Sequence, residues 1–445
     1  MDPIVIGLIG IGVFLAALAL GVHVGISLGF VGMAGCIAIY AQTLPFGTSF
    51  AITQNLLLNA VFATATDWVF IVLPLFILMG LLASEVGITE MAYSALAKWV
   101  GNSRGSLGIA TVLGQTAFGI CTGSSIVACT VFARVSAPEM TKYGYSKKFS
   151  YGLIAGTGSL GMIIPPSVLA IIYGLLSRES IGALFLAGVG PGMALSILFI
   201  LAIVVMSRIN PSLAPKVDLR ASGKEKIRAL VDFLPIMAVG FVIIYGILSG
   251  MFTPNEAGAI GSFIIFIIGI LNRNLTLKRF LSAMKGTASS TGMVFIIFIM
   301  AKVFSRFLNL SGIAPSLIEH ISNLPFPPLM IIIGFLLMYL VLGMFLDGIS
   351  ILVITVPLLV PVIEVLNIDM IWFAMVSILA IECGLVTPPV GLNVYAVKGV
   401  AGDDISLEDL FRGAFPFFLI MVLCVAVSVA FPSLITWLPK FIGPN

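Results

Sequence analysis

Charge-poor apolar runs of roughly 15 to 25 residues recur along the whole of this 445-residue chain, and no other feature restricts its fold as strongly. About 20 apolar residues cross a bilayer as a helix, because in lipid every backbone N–H and C=O must be satisfied within the protein. Hydrophobic residues make up 60% of the chain and charged residues 9%. A soluble globule averages about 25% charged residues. The chain therefore reads as an all-α polytopic membrane protein. The first run, 4–20, follows Met1-Asp2-Pro3 without a basic n-region or a clear small-residue cleavage site. It is expected to be a retained span and not a removed signal peptide.

The same composition removes several function classes. A net charge of +3 is too small to point to nucleic acid, and the basic residues fall in short loops, where they set orientation. The five cysteines, at 36, 121, 129, 383 and 424, have no CxxC spacing and read as small buried residues. Two histidines, His23 and His320, without an HExxH or Cys/His cluster, argue against zinc or iron.

Simple spans are expected near 4–20, 24–41, 67–83, 191–207, 229–250, 257–271, 288–305 and 416–437, with longer interrupted spans near 149–177 and 370–397. Segments 106–140 and 327–366 carry Gly, Ser or Asp near their centres and read as re-entrant hairpins returning to their starting side. That parity places 98–104, 141–148, 208–228, 272–285 and 398–412 together, and these five segments hold 17 of the 22 Lys and Arg. By the positive-inside rule they are cytoplasmic and both termini are periplasmic. Two full crossings in place of each hairpin would preserve the same count.

The chain also resembles itself at an offset of about 225 residues. DWVFIVLPLF (67–76) lies over GMVFIIFIMA (292–301), and GSSIVACTV (123–131) over GISILVITV (348–356). Two residues out of phase, Pro165-Pro166 meets Pro388-Pro389. An odd number of crossings separates corresponding points, so the halves are expected as two inverted-topology repeats, 1–208 and 229–445, joined by a basic cytoplasmic linker, 209–228. Inverted repeats with helices broken at matching places are the sequence pointer to a secondary transporter with its site near the midplane.

Each half supplies a hairpin tip and a broken helix: 119–130 with 156–167, and 345–357 with 382–395. Sodium takes oxygen ligands, and unwound carbonyls with Ser and Thr hydroxyls supply them. The first sodium site is expected at Thr122, Ser125, Gly161, Ile164 and Pro165, and the second at Gly348, Gly384, Thr387 and Val390. Helix ends at these breaks offer N–H donors to a carboxylate, and Ser124, Ser167, Asp347 and Asn393 are the candidate substrate contacts. Asp347 and Glu382 are intramembrane acids, with ion coordination, proton carriage and structural pairing all open to them. Arg134 is expected to snorkel to the interface. The plainer account of the Gly, Ser and Thr residues is close helix packing. Rival classes are a passive organic-anion channel or facilitator, which needs a continuous polar lining, and an intramembrane enzyme, which needs a nucleophile with a base or a metal cluster.

In the order PLFILMG (74–80), GSSIVA (123–128), MTKYGY (140–145), GMIIPPS (161–167), SIGALFLAGVGPG (180–192), TPNEAGAIG (253–261) and TPPVGLNVY (387–395), these motifs make the chain resemble the DctM-like large membrane subunit of tripartite ATP-independent periplasmic (TRAP) transporters over essentially its whole length. The resemblance implies Na⁺-driven import of a carboxylate-bearing organic anion such as a dicarboxylate, sialic acid or another sugar acid. It implies two partners, a small four-helix DctQ-like membrane subunit as a separate chain and a DctP-like periplasmic substrate-binding protein. It also implies the bacterial inner membrane and an elevator-type transport domain, about 106–177 and 327–397, beside a scaffold. The family's ion-site pattern falls on the same two residue sets. The chain departs from it at Cys121-Thr122, where small Ser-Gly-like residues are expected, and at His23, where a proline is usual.

Overall fold

The computed structural model describes residues 1–217, 222–322 and 324–442, so the linker expected at 209–228 lies partly outside the described residues. Among them every regular element is helical. The chain runs α1 (Pro3–Ala19), α2 (Val24–Tyr40), α3 (Phe46–Ala65), α4 (Val72–Val86) and α5 (Ile88–Val100) into a hairpin of α6 (Ser106–Thr122) and α7 (Ser125–Lys142). A broken helix follows as α8 (Lys147–Thr157), α9 (Leu160–Ile163) and α10 (Val168–Ser177), and then α11 (Ile181–Ile209). The second half runs α12 (Gly223–Leu248), α13 (Pro254–Leu271), α14 (Leu277–Leu310) and α15 (Ile313–Ser322) into a hairpin of α16 (Pro328–Gly343) and α17 (Gly348–Val365). Its broken helix is α18 (Met370–Gly384) and α19 (Leu392–Ala401), followed by α20 (Leu407–Ala430) and α21 (Ser433–Ile442). Among the described residues six helices are long and apolar enough to cross a bilayer, or up to eight if each of two bent pairs counts as one span. The chain is a multi-pass membrane protein.

Local chemistry sets the helix ends. Thr253 and Glu256 form a capping box at the start of α13 with Pro254 in its first turn, so the TPNE run is a helix start that satisfies its own free N–H groups. Ser222 and Glu225 do the same for α12. His23 caps α2, its Nδ1 accepting from the Gly25 N–H at 3.3 Å, which gives this departure from the family pattern a local structural job.

Several boundaries differ from expectation. Helix α3, absent from the expected spans, is a regular 20-residue helix whose Ser49 and Thr53 hydroxyls turn back to backbone carbonyls at 3.2 and 2.9 Å. Its polar residues break the apolar run without breaking the helix. Helix α11 starts at Ile181 and not near 191, because Pro191 is accommodated within it, and α14 extends the expected 288–305 to 34 residues. The expected span 416–437 is two helices. Phe431-Pro432 ends the first, since proline lacks the N–H that a continuing helix needs. The hairpins match closely, Ser106–Lys142 against 106–140 and Pro328–Val365 against 327–366.

Packing fixes the relative directions of three helices. Asn255 Nδ2, Ser262 Oγ and Asn274 Nδ2 donate to the carbonyls of Trp68, Leu75 and Val86 at 3.0, 2.7 and 3.1 Å. Both residue series ascend, so α13 runs parallel to α4. Phe70 meets Phe295 and Phe298 at ring separations of 5.5 and 5.0 Å, while Gly286 lies against Leu81. There one series ascends as the other descends, so α4 and α14 run antiparallel. Phe70 and Phe295 are matched positions of the internal alignment, and their rings touch.

Candidate functional site

The two hairpin tips and the two broken helices interlock. The returning arm α7 packs against α19, which follows the second break, and the returning arm α17 packs against α10, which follows the first. Each half thus contributes a tip to the other half's broken helix. Within each half the incoming arm meets its own broken helix through glycines. A methyl carbon added at Gly119 would lie 3.0 Å from the Gly161 Cα, and one at Gly343 would lie 2.8 Å from the Gly384 Cα.

The breaks satisfy part of their freed backbone in matching ways. Gly123, which ends α6 in the left-handed conformation at φ 58°, accepts from the Val168 N–H at 3.3 Å. Met344, which ends α16, accepts from the Gly391 N–H at 3.3 Å. Val168 and Gly391 each stand three residues beyond the first proline of a Pro-Pro pair, and both Pro165–Pro166 and Pro388–Pro389 bonds are cis. The Gly123–Val168 and Met344–Gly391 hydrogen bonds keep polar backbone paired at a depth where an orphaned group costs several kcal/mol.

The first set of expected ion ligands gathers at the first tip. Thr122 closes α6 and donates to the Phe118 carbonyl at 3.2 Å, Ser125 is the first residue of α7, and Gly161 lies under the Ser124 carbonyl. Ile164 and Pro165 stand at the break itself, their side chains against Gly192 and Gly188 of α11. In the second set Gly348 opens α17 against Leu169 of α10. Gly384 closes α18, its carbonyl accepting from the Thr387 N–H at 2.9 Å while the Thr387 hydroxyl donates to Cys383 at 2.7 Å. Val390 follows, half-buried.

Each of the four expected substrate contacts has a local role at a tip or a break. Ser124 caps α7 and, with Thr122, lines a cavity of about 160 Å³ that also meets Met162, Val168 and Ile349. Ser167 is buried in the first break, where its hydroxyl donates to the Met162 carbonyl and accepts from the Ala170 N–H at 3.3 Å. Asp347 caps α17, accepting from the Ser350 N–H at 3.0 Å and from the Ser350 hydroxyl. Asn393 is fully buried and donates to Glu382 at 3.3 Å. Arg134 is exposed on α7, consistent with snorkelling.

Sequence reasoning passed over residues that the fold brings to this region. Ser290 and Val294 of α14 and Gly80 of α4 form the far wall of the small cavity. The signal was the hydroxyl-rich run Thr287, Ser289, Ser290 and Thr291 at the head of an apolar stretch. Gln115 on α6 is buried, donating to the Ile154 carbonyl at 3.2 Å and accepting from the Thr157 hydroxyl, so it ties the hairpin to the broken helix.

The described family "Tripartite ATP-independent periplasmic transporter, DctM component" matches residues 11–434. The chain belongs to the DctM family. It is 31% identical over 433 residues, 97% of this chain and 98% of the other, to the sialic acid TRAP transporter large permease protein SiaM of Vibrio cholerae. It is 29% identical to the C4-dicarboxylate TRAP transporter large permease protein DctM of Pseudomonas aeruginosa, over 86% of this chain and 88% of the other. The 2,3-diketo-L-gulonate large permease protein YiaN of Escherichia coli is also 29% identical, with 85% and 88% covered. The fold is that of the YdaH transporter of Alcanivorax borkumensis, whose crystal structure is described as having an unusual topology, with a TM-score of 0.63 over 99% of this chain and 100% of that one at 14% identity. DctM-family chains are transporter components, which sets an enzymatic role aside.

Proposed function

We propose that this DctM-family chain is the permease of a sodium-coupled symporter, importing a carboxylate-bearing organic anion across the bacterial inner membrane. The observation that carries the proposal is the crossed packing of the two tips on the two broken helices, α7 on α19 and α17 on α10, with hydroxyls and chain breaks brought together at both crossings. A passive channel needs a continuous polar lining, whereas here the cavity beside the first tip is about 160 Å³ and apolar apart from Thr122, Ser124 and Ser290. Sodium would be carried at Thr122, Ser125 and the Gly161–Pro165 carbonyls, and at Gly348, Gly384, Thr387 and Val390. The anion would meet the Ser124 end of the cavity, where the first turn of α7 offers free N–H groups.

The inverted-repeat reading is supported by paired contacts of the kind a two-fold axis leaves. Phe70 meets its own counterpart Phe295, and the Gly119–Gly161 approach has its echo in Gly343–Gly384. On this reading the hairpins and broken helices move together as an elevator beside a scaffold containing α4, α13 and α14. A small DctQ-like membrane subunit would flank the scaffold, and a DctP-like periplasmic protein would deliver the anion. The relatives are named for sialic acid, C4-dicarboxylates and 2,3-diketo-L-gulonate, which favours a carboxylate-bearing solute. Sodium carried in excess of the anion's charge would add about 2.3 kcal/mol of drive per net charge per 100 mV.

The test is uptake into proteoliposomes holding the chain and its small subunit, with binding protein outside, under an inward Na⁺ gradient and then an equal K⁺ gradient. Accumulation is expected only with sodium and binding protein together, and is expected to fall in Ser125→Ala and Thr387→Val. Downhill flux indifferent to sodium would refute the coupled mechanism and leave a facilitator.

A further inference from the structure

The small cavity beside the first tip takes its polar groups from two different bodies. Thr122 and Ser124 stand on the tip, while the wall supplied by α4 and α14, the helices read above as scaffold, carries one polar side chain among the described residues, Ser290. The rest of that wall is Ile77, Gly80, Leu81 and Val294. Gly80 brings it against the tip, since a methyl carbon added there would lie 2.8 Å from the Thr122 Cα. A solute lodged in about 160 Å³ between the two therefore touches both.

The hydroxyls around this cavity differ in what they leave free. Thr287 and Thr122 donate to carbonyls one turn back, to Ala283 at 2.8 Å and to Phe118 at 3.2 Å. Ser290 is exposed where it lines the cavity, and among the described residues no hydrogen bond engages its hydroxyl. The next hydroxyl along α14, Thr291 Oγ1, is buried with no partner. Ser124 only accepts, from the Val127 N–H at 3.5 Å, so its own proton is available to an anion beside the free N–H groups of the first turn of α7. The cavity is roughly half the size of the smallest pockets that hold drug-sized ligands, about 300 Å³, so it takes the head of a solute and leaves the remainder outside its open side. In so short a space a second polar group that reaches Ser290 belongs to the carbon next to the carboxylate.

We propose that Ser290 is a specificity-determining contact, hydrogen-bonding a hydroxyl or oxo group adjacent to the carboxylate that the Ser124 end holds, so that the permease itself selects 2-hydroxy and 2-oxo acids over their unsubstituted analogues. The proposal rests on the carboxylate reading above and not on sodium coupling. A serine hydroxyl suits both groups, because it donates to an oxo oxygen and either donates to or accepts from a hydroxyl. In a wall that is otherwise apolar, a solute without that group leaves Ser290 unpaired, and this gives a single hydrogen bond its power to discriminate.

The test is solute binding to the purified permease with its small subunit and no binding protein, so that selection by the delivery protein does not enter. The rise in melting temperature would be titrated in sodium with three pairs of acids that differ in the 2-hydroxyl: L-lactate and propionate, L-malate and succinate, D-gluconate and 2-deoxygluconate. Wild type is expected to bind the hydroxy acid of at least one pair about fivefold more tightly than its partner. Ser290→Ala should bring the two within twofold by weakening only the hydroxy acid, and alanine is the better helix former, so the fold is kept. Ser290→Thr restores a hydroxyl and should retain the preference, while Ser289→Ala, at an exposed neighbour outside the cavity lining, should behave as wild type. A preference that survives in Ser290→Ala, equal affinities within every pair in wild type, or equal weakening of both members in Ser290→Ala would each overturn the contact. A Ser290-dependent preference that is unchanged when choline replaces sodium would support the contact while bringing down the coupled mechanism. Failure of all six acids to bind wild type would bring down the carboxylate reading, and this contact with it.

Discussion

Alanine at Gly384 separates close backbone packing from mere small-residue preference. A methyl carbon there would sit 2.5 Å from the Leu340 carbonyl oxygen and 2.6 Å from the Gly343 Cα. Both obstacles are backbone, so no rotamer change relieves them, and α16 and α18 must separate by about 1 Å to restore ordinary contact at about 3.5–4 Å. Overpacking of this kind costs about 1–3 kcal/mol, with the upper end expected where the backbone itself must move. At about 2–4 °C per kcal/mol for units the size of each half, Gly384→Ala should lower the melting temperature of the purified complex by roughly 4–10 °C. Gly334→Ala is the control. It lies on the same α16, a methyl there meets nothing within 4 Å, and helix propensity predicts a neutral or slightly raised melting temperature. The transport consequence follows from position, because Gly384 closes the helix whose next turn holds Thr387. Gly384→Ala should therefore also weaken the sodium dependence of uptake. Equal melting temperatures for the two alanine variants would refute the backbone contact and the packing argument built on it.

Other outcomes test other joints. Gln115→Leu removes the buried amide that joins α6 to Ile154 and Thr157, leaving their polar groups unpaired, and should destabilise the complex by about 2–3 kcal/mol in a denaturant or heat titration. Asp404 accepts from Lys147 Nζ at 2.8 Å, and that bond, followed by the lysine's charge, holds its carboxyl below the usual 3.8. A depressed acid stabilises the fold above its unfolded value and loses that contribution as pH falls through the folded one. Melting of the wild type should then fall below pH 3.8 more steeply than that of Asp404→Asn, and parallel curves would refute the tether. Reporter fusions after Lys224 and Pro254, near opposite ends of α12, should report opposite sides of the membrane, with Lys224 cytoplasmic, and a shared side would refute the parity reading.

The hairpins were legible because their chemistry is local. A Gly-Ser tip or an Asp cap interrupts an apolar run, so each segment reads as two arms joined by a break. What sequence concealed has two physical origins. Helix α3 keeps regular geometry while its hydroxyls and amides lower its hydropathy, and α5, α15 and α21 show one apolar face, so none reads as an apolar run. The second origin is separation along the chain. Ser125 and Glu382 are 257 residues apart, and Gln115 and Thr157 are 42 apart, so no local pattern announces either pair. Thr122, Ser125 and Gly161 were expected together and are together. Ser167, expected to face substrate, instead stitches the break, since a buried hydroxyl pairs with the nearest freed backbone groups.

The two halves share their internal bonds but not their surroundings, and that difference bears on the proposed transport cycle. Pro165 and Pro166 are buried, with Pro165 packed against α11, whereas Pro388 and Pro389 are exposed and Val390 is half-exposed. If the halves are related by a two-fold axis, a state that buries one Pro-Pro break and bares the other has a mirror state with the roles exchanged. Alternating access needs two such states of nearly equal energy. On the expected positive-inside orientation the exposed break would lie on the cytoplasmic approach, because α19 leads from it to the basic segment 398–412. Single cysteines at Pro389 and at Pro166, in a background with the five native cysteines replaced, would report on the exchange through a membrane-impermeant thiol reagent. Labelling at 389 from the cytoplasmic side that falls as periplasmic labelling at 166 rises, with sodium and loaded binding protein present, is the expected result. Labelling at 389 that never changes while uptake proceeds would refute the exchange and require the anion to cross with the second break fixed in place.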